Sequence, residues 1–141
     1  MAGIFYTNGG ALAKATVMKA SLDGGKIRLF KSEFIPMVNS TLADFVAAEC
    51  DFDGYPAGGQ VVAAWLAPIL DPAGGASIEA PITQFAYGPP ATTPVTNAVG
   101  GWFYTTASNI LICGEFPQPI PMSAPGQGLP LSIKLIEGNS L

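Results

Sequence analysis

Four carboxylates, Asp44, Glu49, Asp51 and Asp53, fall within ten positions of one another, with Cys50 among them. Such a cluster could serve acid–base chemistry or hold a hard cation such as calcium. The spacing does not support calcium, because it lacks the full ligand series and the fixed glycine of a helix-loop-helix site. Local backbone chemistry accounts for two members: Asp44 stands three residues after Thr41, and Asp53 precedes Gly54. The chain has no histidine, which excludes serine–histidine and cysteine–histidine catalysis in their usual form, along with histidine-ligated metal sites. Cys50 and Cys113 show no metal spacing and read as buried small apolar groups. Five glycine pairs, at positions 9, 24, 58, 74 and 100, lack the lysine and hydroxyl residue of a phosphate loop and the spaced glycines of a dinucleotide site, so they read as turns. Tyr55, Trp65, Trp102, Phe103 and Tyr104 could stack on sugar rings, but their setting in apolar runs favours core packing. No catalytic, metal or cofactor residue is expected.

The carboxylates depend on a short helix. Thr41 is a good N-cap, and Asp44 can return a hydrogen bond to its amide, a capping box. Leu42, Phe45 and Val46 then share one face at helical spacing, and Gly54 closes the segment with a tight turn. Thr41, Asp44, Phe45 and Gly54 are therefore the expected structural residues.

Before this helix, Asn8 is expected to cap a first helix running to Leu22, with Leu12, Ala15, Met18 and Leu22 toward the core and Asp23-Gly24-Gly25 ending it. Lys26-Ile27-Arg28-Leu29-Phe30 alternates as a half-buried strand does. After the second helix, Val61-Val62-Ala63-Ala64-Trp65-Leu66 has strand character, and residues 76–85 read as a return strand interrupted by Pro81. Residues 87–95, with Pro89, Pro90 and Pro94, are expected to form an extended loop. Residues 100–105 and 110–116 form the clearest hairpin around Thr106-Ala107-Ser108-Asn109; their unbroken apolar runs imply a central pair covered on both faces. Pro117, Pro119, Pro121 and Pro125 predict a second irregular stretch, and residues 131–137 a last strand with Leu131, Ile133 and Leu135 inward. The expected fold is mainly β, an antiparallel β sandwich or barrel with two short N-terminal helices, in a single domain spanning residues 1–141. Residues 1–7 form a candidate N-terminal arm, with Ile4, Phe5 and Tyr6 as assembly residues whose alternative is an ordinary first strand.

Composition narrows the classes of function. Charged residues make up 11% of the 141 positions, and the net charge is −4 with six scattered bases. That pattern offers no footprint for nucleic acid. The longest apolar run, residues 61–70, contains Pro68 and falls short of a membrane span, and the N-terminus lacks the pattern of a secretion signal. A surface this neutral is poorly guarded against association, which favours a chain packed against copies of itself or another protein.

The order of motifs carries a resemblance. Asn8-Gly9-Gly10, Leu29-Phe30, Pro36, Thr41-Leu42-Ala43-Asp44-Phe45, Phe52-Asp53-Gly54-Tyr55, a strand with Trp65, Gly101-Trp102-Phe103-Tyr104 and Glu115-Phe116 follow one another. In that order the chain resembles a family of small virion proteins of tailed bacteriophages. It departs from their pattern at Gly101-Trp102 and in the proline-rich loop at 87–95. The resemblance implies a capsid cement or decoration protein on the outer surface of the head, without enzymatic activity; the neutral surface and the threefold symmetry of capsids add the expectation that it binds between major capsid subunits as a homotrimer. A tail or head-fibre component and a glycan-binding module are the alternatives.

Overall fold

The computed structural model describes residues 6–72, 74–88, 98–122 and 126–137. In chain order its elements are α1 (Asn8–Leu22), β1 (Lys26–Lys31), α2 (Leu42–Ala47), β2 (Gln60–Val61), β3 (Ile69–Leu70), β4 (Ala76–Glu79), β5 (Thr83–Ala86), β6 (Val99–Thr105), β7 (Leu111–Ile120), β8 (Gly128–Leu131) and β9 (Lys134–Glu137). The fold is mainly β with a helix near the N-terminus, and the strand pairs are antiparallel. The chain forms two compact units, each assembled from separated segments.

One unit comprises Gly25–Val61 and Thr83–Leu131. Its larger sheet runs β2-β1-β6-β7, and β5 pairs with β8 in a smaller one. Side chains of Phe103 and Tyr104, neighbours on the inner strand β6, project to opposite faces, and both are buried. Phe30 on β1 stands opposite Gly101 of β6. A Cβ on Gly101 would meet the Phe30 ring at 2.5 Å, so only glycine admits that ring. α2 brings Phe45 onto the same cluster, with ring centroids 4.9 Å from Phe34, 5.0 Å from Phe103 and 5.9 Å from Phe30. The capping box forms as its residues require: Asp44 N–H donates to Thr41 Oγ1 at 3.3 Å, and Thr41 N–H to Asp44 Oδ2 at 2.9 Å. Gly54 (φ 93°) makes the exit turn, where a Cβ would lie 2.5 Å from Ala86 O and Gly88 N. The close approach it permits stacks Phe52 on Tyr87 and Tyr55 on Phe85.

The other unit comprises Met1–Gly24, Val62–Ile82 and Ser132–Leu141. Its sheet runs β3-β4-β9, and α1 packs mainly on β4. The buried stripe of α1 is Ala11, Ala15 and Leu22, and the two alanines allow the helix a close approach. Asp23 follows as C-cap, its N–H donating to Lys19 O. Its carboxylate accepts from Lys19 Nζ at 2.8 Å and from Trp65 N–H at 2.7 Å, so the helix end is tied to the segment that carries the buried Trp65.

Several sequence expectations need correction. Thr7, not Asn8, caps α1: its side chain accepts from Gly10 N–H at 3.1 Å, and Asn8 is already helical. Leu12 and Met18 are half-buried where Ala11 is buried. The strand expected over residues 61–66 ends at Val61, because the backbone beyond it meets scattered partners: Gly24 N–H on Val62 O, Trp65 N–H on Asp23 and Leu66 N–H on Glu79 O. Residues 76–85 divide at Pro81 into β4 and β5, which belong to different sheets. Residues 131–137 divide likewise, Leu131 ending β8 and Lys134 opening β9, while Leu131 and Ile133 are buried as expected. Pro117 and Pro119 lie within β7, which tolerates them as an edge strand among the described residues. Its edge position also leaves β7 largely half-buried or exposed, so only β6 of the hairpin is covered on both faces. Gly9 and Gly10 open α1 and Gly100 and Gly101 lie in β6, whereas the pairs at 58 and 74 have the positive φ of turns. Ile4, Phe5 and residues 89–95 of the loop expected over 87–95 lie outside the described residues, whereas Tyr87 is buried.

Candidate functional site

The acidic run does not converge on a common point. Asp44 is committed to the cap of α2, and the exposed Asp51 carboxylate lies 3.5 Å from Lys31 Nζ, a pairing that solvent leaves weak. Glu49 turns inward. One of its oxygens, Oε2, accepts from Arg28 Nε at 3.1 Å and from the Tyr55 hydroxyl at 2.6 Å. The Tyr55 oxygen in turn accepts from Leu29 N–H at 3.1 Å. Burial, and then the hydrogen bond to Glu49, push the Tyr55 hydroxyl far above its ordinary pKa, so it stays protonated and keeps donating. Arg28 also lies over the Phe103 ring, 5.5 Å from its centroid.

This network clamps the chain after α2 onto β1. Lys31 N–H donates to Ala48 O and Cys50 N–H to Leu29 O, so residues 48–50 run beside the strand. An open cleft of about 390 Å³ lies here, lined by Val46, Glu49, Cys50, Asp51, Tyr55, Ala57 and Gly58. The Cys50 thiol is buried and pushed up to about 12, chiefly by desolvation, which leaves it a poor nucleophile. Tyr55 and Glu49 already satisfy each other. The chemistry of the arrangement is therefore that of a structural tie.

Thr41, Asp44, Phe45 and Gly54 hold the structural places that sequence spacing assigns them: cap, box partner, core ring and exit turn. Leu42 and Val46, however, are 40% and 45% exposed, because the rings around Phe45 already close the core. They extend a series of apolar side chains left in water, with Ile35 at 75%, Met37 at 67% and Val38 at 109%. The turn that presents them is held by Met37 N–H on Ser40 Oγ at 2.8 Å and Ser40 N–H on Met37 O at 2.9 Å. In the helical unit, Ile69 and Ile136 stand exposed on either side of Ser77 in the same cross-strand row. Tyr6 and Thr7 are tied to α1, the first beneath Lys14 Nζ, 4.4 Å from the ring centroid, the second as its cap.

Trp65, Phe103 and Tyr104 are buried, and Trp102 projects from β6 on the face opposite Phe103. Cys113 is exposed on β7, contrary to the expectation of two buried thiols. Sequence reasoning missed the role of Arg28. The signal was a permanent charge between Ile27 and Leu29 on an alternating strand, which must find a partner or water. Comparison with family models, curated proteins and solved structures found no match.

Proposed function

We propose that the protein is a structural component of a tailed-bacteriophage virion, a cement or decoration protein on the outer surface of the head. It would bind between major capsid subunits and associate with copies of itself, as a homotrimer where it sits on threefold positions of the shell. The observation that carries the association is the series of solvated apolar side chains at Ile35, Met37, Val38, Leu42 and Val46. The Thr41 capping box and the Glu49–Arg28–Tyr55 tie support the backbone on either side of them. Backbone so held need not be ordered when a partner covers these side chains, and repeated contacts stabilise a lattice by mass action. The resemblance in the order of motifs supports a place in the virion, with the head as the place the cement role implies.

The test is to mix purified protein with expanded, undecorated heads. Near-stoichiometric binding is expected, and a double change, Met37→Asp with Val38→Asp, should abolish it while leaving the circular dichroism unchanged. Failure of the unaltered protein to bind, or undiminished binding by the variant, overturns the reading. An N-terminal truncation for the arm should stop at residue 5, since removing Thr7 would also remove the cap of α1.

A further inference from the structure

Among the described residues no strand pairs with the outer side of β7. The hairpin turn determines which backbone groups face that side. Thr106 N–H donates to Ile110 O at 3.2 Å and Ile110 N–H to Thr106 Oγ1 at 3.2 Å, so the backbone groups of these two face each other across the hairpin, in the place of a hydrogen-bonded pair. In an antiparallel ladder such pairs alternate with non-bonded ones. Leu111 stands opposite Thr105, Ile112 opposite Tyr104, Cys113 opposite Phe103 and Gly114 opposite Trp102. The bonds to β6 therefore fall at Ile112 and Gly114, and the N–H and C=O groups of Leu111, Cys113 and Glu115 point away from the sheet.

Edge strands are usually guarded against pairing by lysine, proline or a bulge. On β7 these guards begin only after Glu115. There the register jumps from Gly101 opposite Glu115 to Val99 opposite Ile120, and Pro117 and Pro119 lie in the skipped stretch. Residues 111–115 carry no proline or lysine and a single charge, Glu115.

We propose that residues 111–115 pair antiparallel with the same residues of a second copy, about a twofold axis through Cys113, to join two four-stranded sheets into one. In this register Leu111 faces the partner's Glu115 and Cys113 faces the partner's Cys113. Each outward-facing residue exchanges two bonds with its opposite, about six in all. Other registers that match outward groups leave some of them unpaired, and the one centred on Glu115 sets two carboxylates opposite each other, which is unfavourable. Centring on Cys113 is thus the arrangement that uses every outward-facing group of residues 111–115 and opposes no like charges.

The mass of the intact protein in solution tests this. An even number of copies is expected, a dimer or, if a threefold contact also forms, a hexamer. Cys113→Pro removes an outward N–H while leaving the bonds of Ile112 and Gly114 to β6, so it should halve the mass and keep the near-ultraviolet signal of Trp102. Cys113→Arg, which opposes two cations across the axis without altering the backbone, should halve it as well and serves if the proline variant does not fold. A short bismaleimide should join two wild-type chains through Cys113 and fail on Cys113→Ser, which retains the buried Cys50. A monomer or a trimer, or an undiminished mass in the folded variants, overturns the proposal. Head binding is a separate measurement, so either reading can fail without the other.

Discussion

The two units solve the problem of a core in different ways. Around β1, β6 and α2, packing is aromatic: Phe30, Phe34, Phe45 and Phe103 meet with centroid separations of 4.9 to 5.9 Å, and a second group joins Phe52, Tyr55, Phe85 and Tyr87. Around α1 the buried side chains are mostly aliphatic, Ala11, Ala15, Ala76 and Ala80 beside Leu22, Val62, Ile78 and Ile133, with Trp65 as the buried aromatic among the described residues. That unit draws on three chain segments, and the Asp23 carboxylate joins two of them. Large rings bury much area per residue, so glycine and a short capped helix suffice to place them. Aliphatic side chains, the alanines above all, bury less area each, and in that unit the Asp23 carboxylate adds a polar tie between two of the segments. Each unit contains one tryptophan, Trp65 in the helical unit and Trp102 in the aromatic one, so single-tryptophan variants report on them separately.

The contrast is tested most severely at Phe45. Its ring is 2% exposed and touches three other phenylalanines. Phe45→Ala should cost about 3 to 5 kcal/mol, read from the denaturation midpoint followed at Trp102. A loss below about 1 kcal/mol would mean that the cluster collapses around the gap, and the aromatic unit would not depend on its rings as described.

The polar tie at Asp23 comes next. Burial alone would raise its carboxyl, but the hydrogen bonds from Lys19 Nζ and Trp65 N–H, with the Lys19 charge, bring it below the ordinary carboxylate range. Asp23→Ala should cost about 2 kcal/mol at neutral pH, as expected for hydrogen bonds to a charged group. Because the folded value is depressed, this stability is fully present above the unfolded pKa of about 4 and is lost as pH falls through the folded value. The gap between wild type and Asp23→Ala, followed at Trp65, should therefore be widest at pH 7 and narrow as the solution is acidified below about 4. A gap independent of pH would show that the side chain acts through packing and not through charge.

Short-range signals in the sequence were sufficient for part of this. Thr41 with Asp44, the alternation of β1 and the turn at residues 106–109 are local arrangements, and each element forms where its residues place it. The breaks at Pro81 and Ser132 were harder to see, since apolar alternation continues through them: Leu131 and Ile133 are both buried although their neighbouring strands belong to different sheets. Trp65 is positioned by a carboxylate 42 residues away, and Glu49 by an arginine 21 residues away, contacts that no periodicity encodes. Helical spacing put Leu42 and Val46 beside Phe45 but could not say that the rings of Phe30, Phe34 and Phe103 would leave those two uncovered. The same limit applies to the exposed apolar series and to the outer side of β7, because exposure depends on what the other described residues leave uncovered.

The smallest expected effect separates the cap of α2 from its core ring. The helix has six residues and buries only Phe45 among them, so its backbone gains little from packing elsewhere along its length. Thr41 satisfies one of the free N–H groups of the first turn, and Asp44 returns the bond to Thr41 N–H. Thr41→Ala should cost about 1 kcal/mol at the Trp102 transition, and Thr41→Ser should recover most of it because a serine hydroxyl accepts the same bond. If alanine at position 41 cost as much as alanine at position 45, the cap would be setting the position of the ring, and the aromatic unit would lean on a polar tie as heavily as the helical one does. If it cost nothing measurable, Phe45 packing alone would hold the helix, and the difference between the two units would be sharper still.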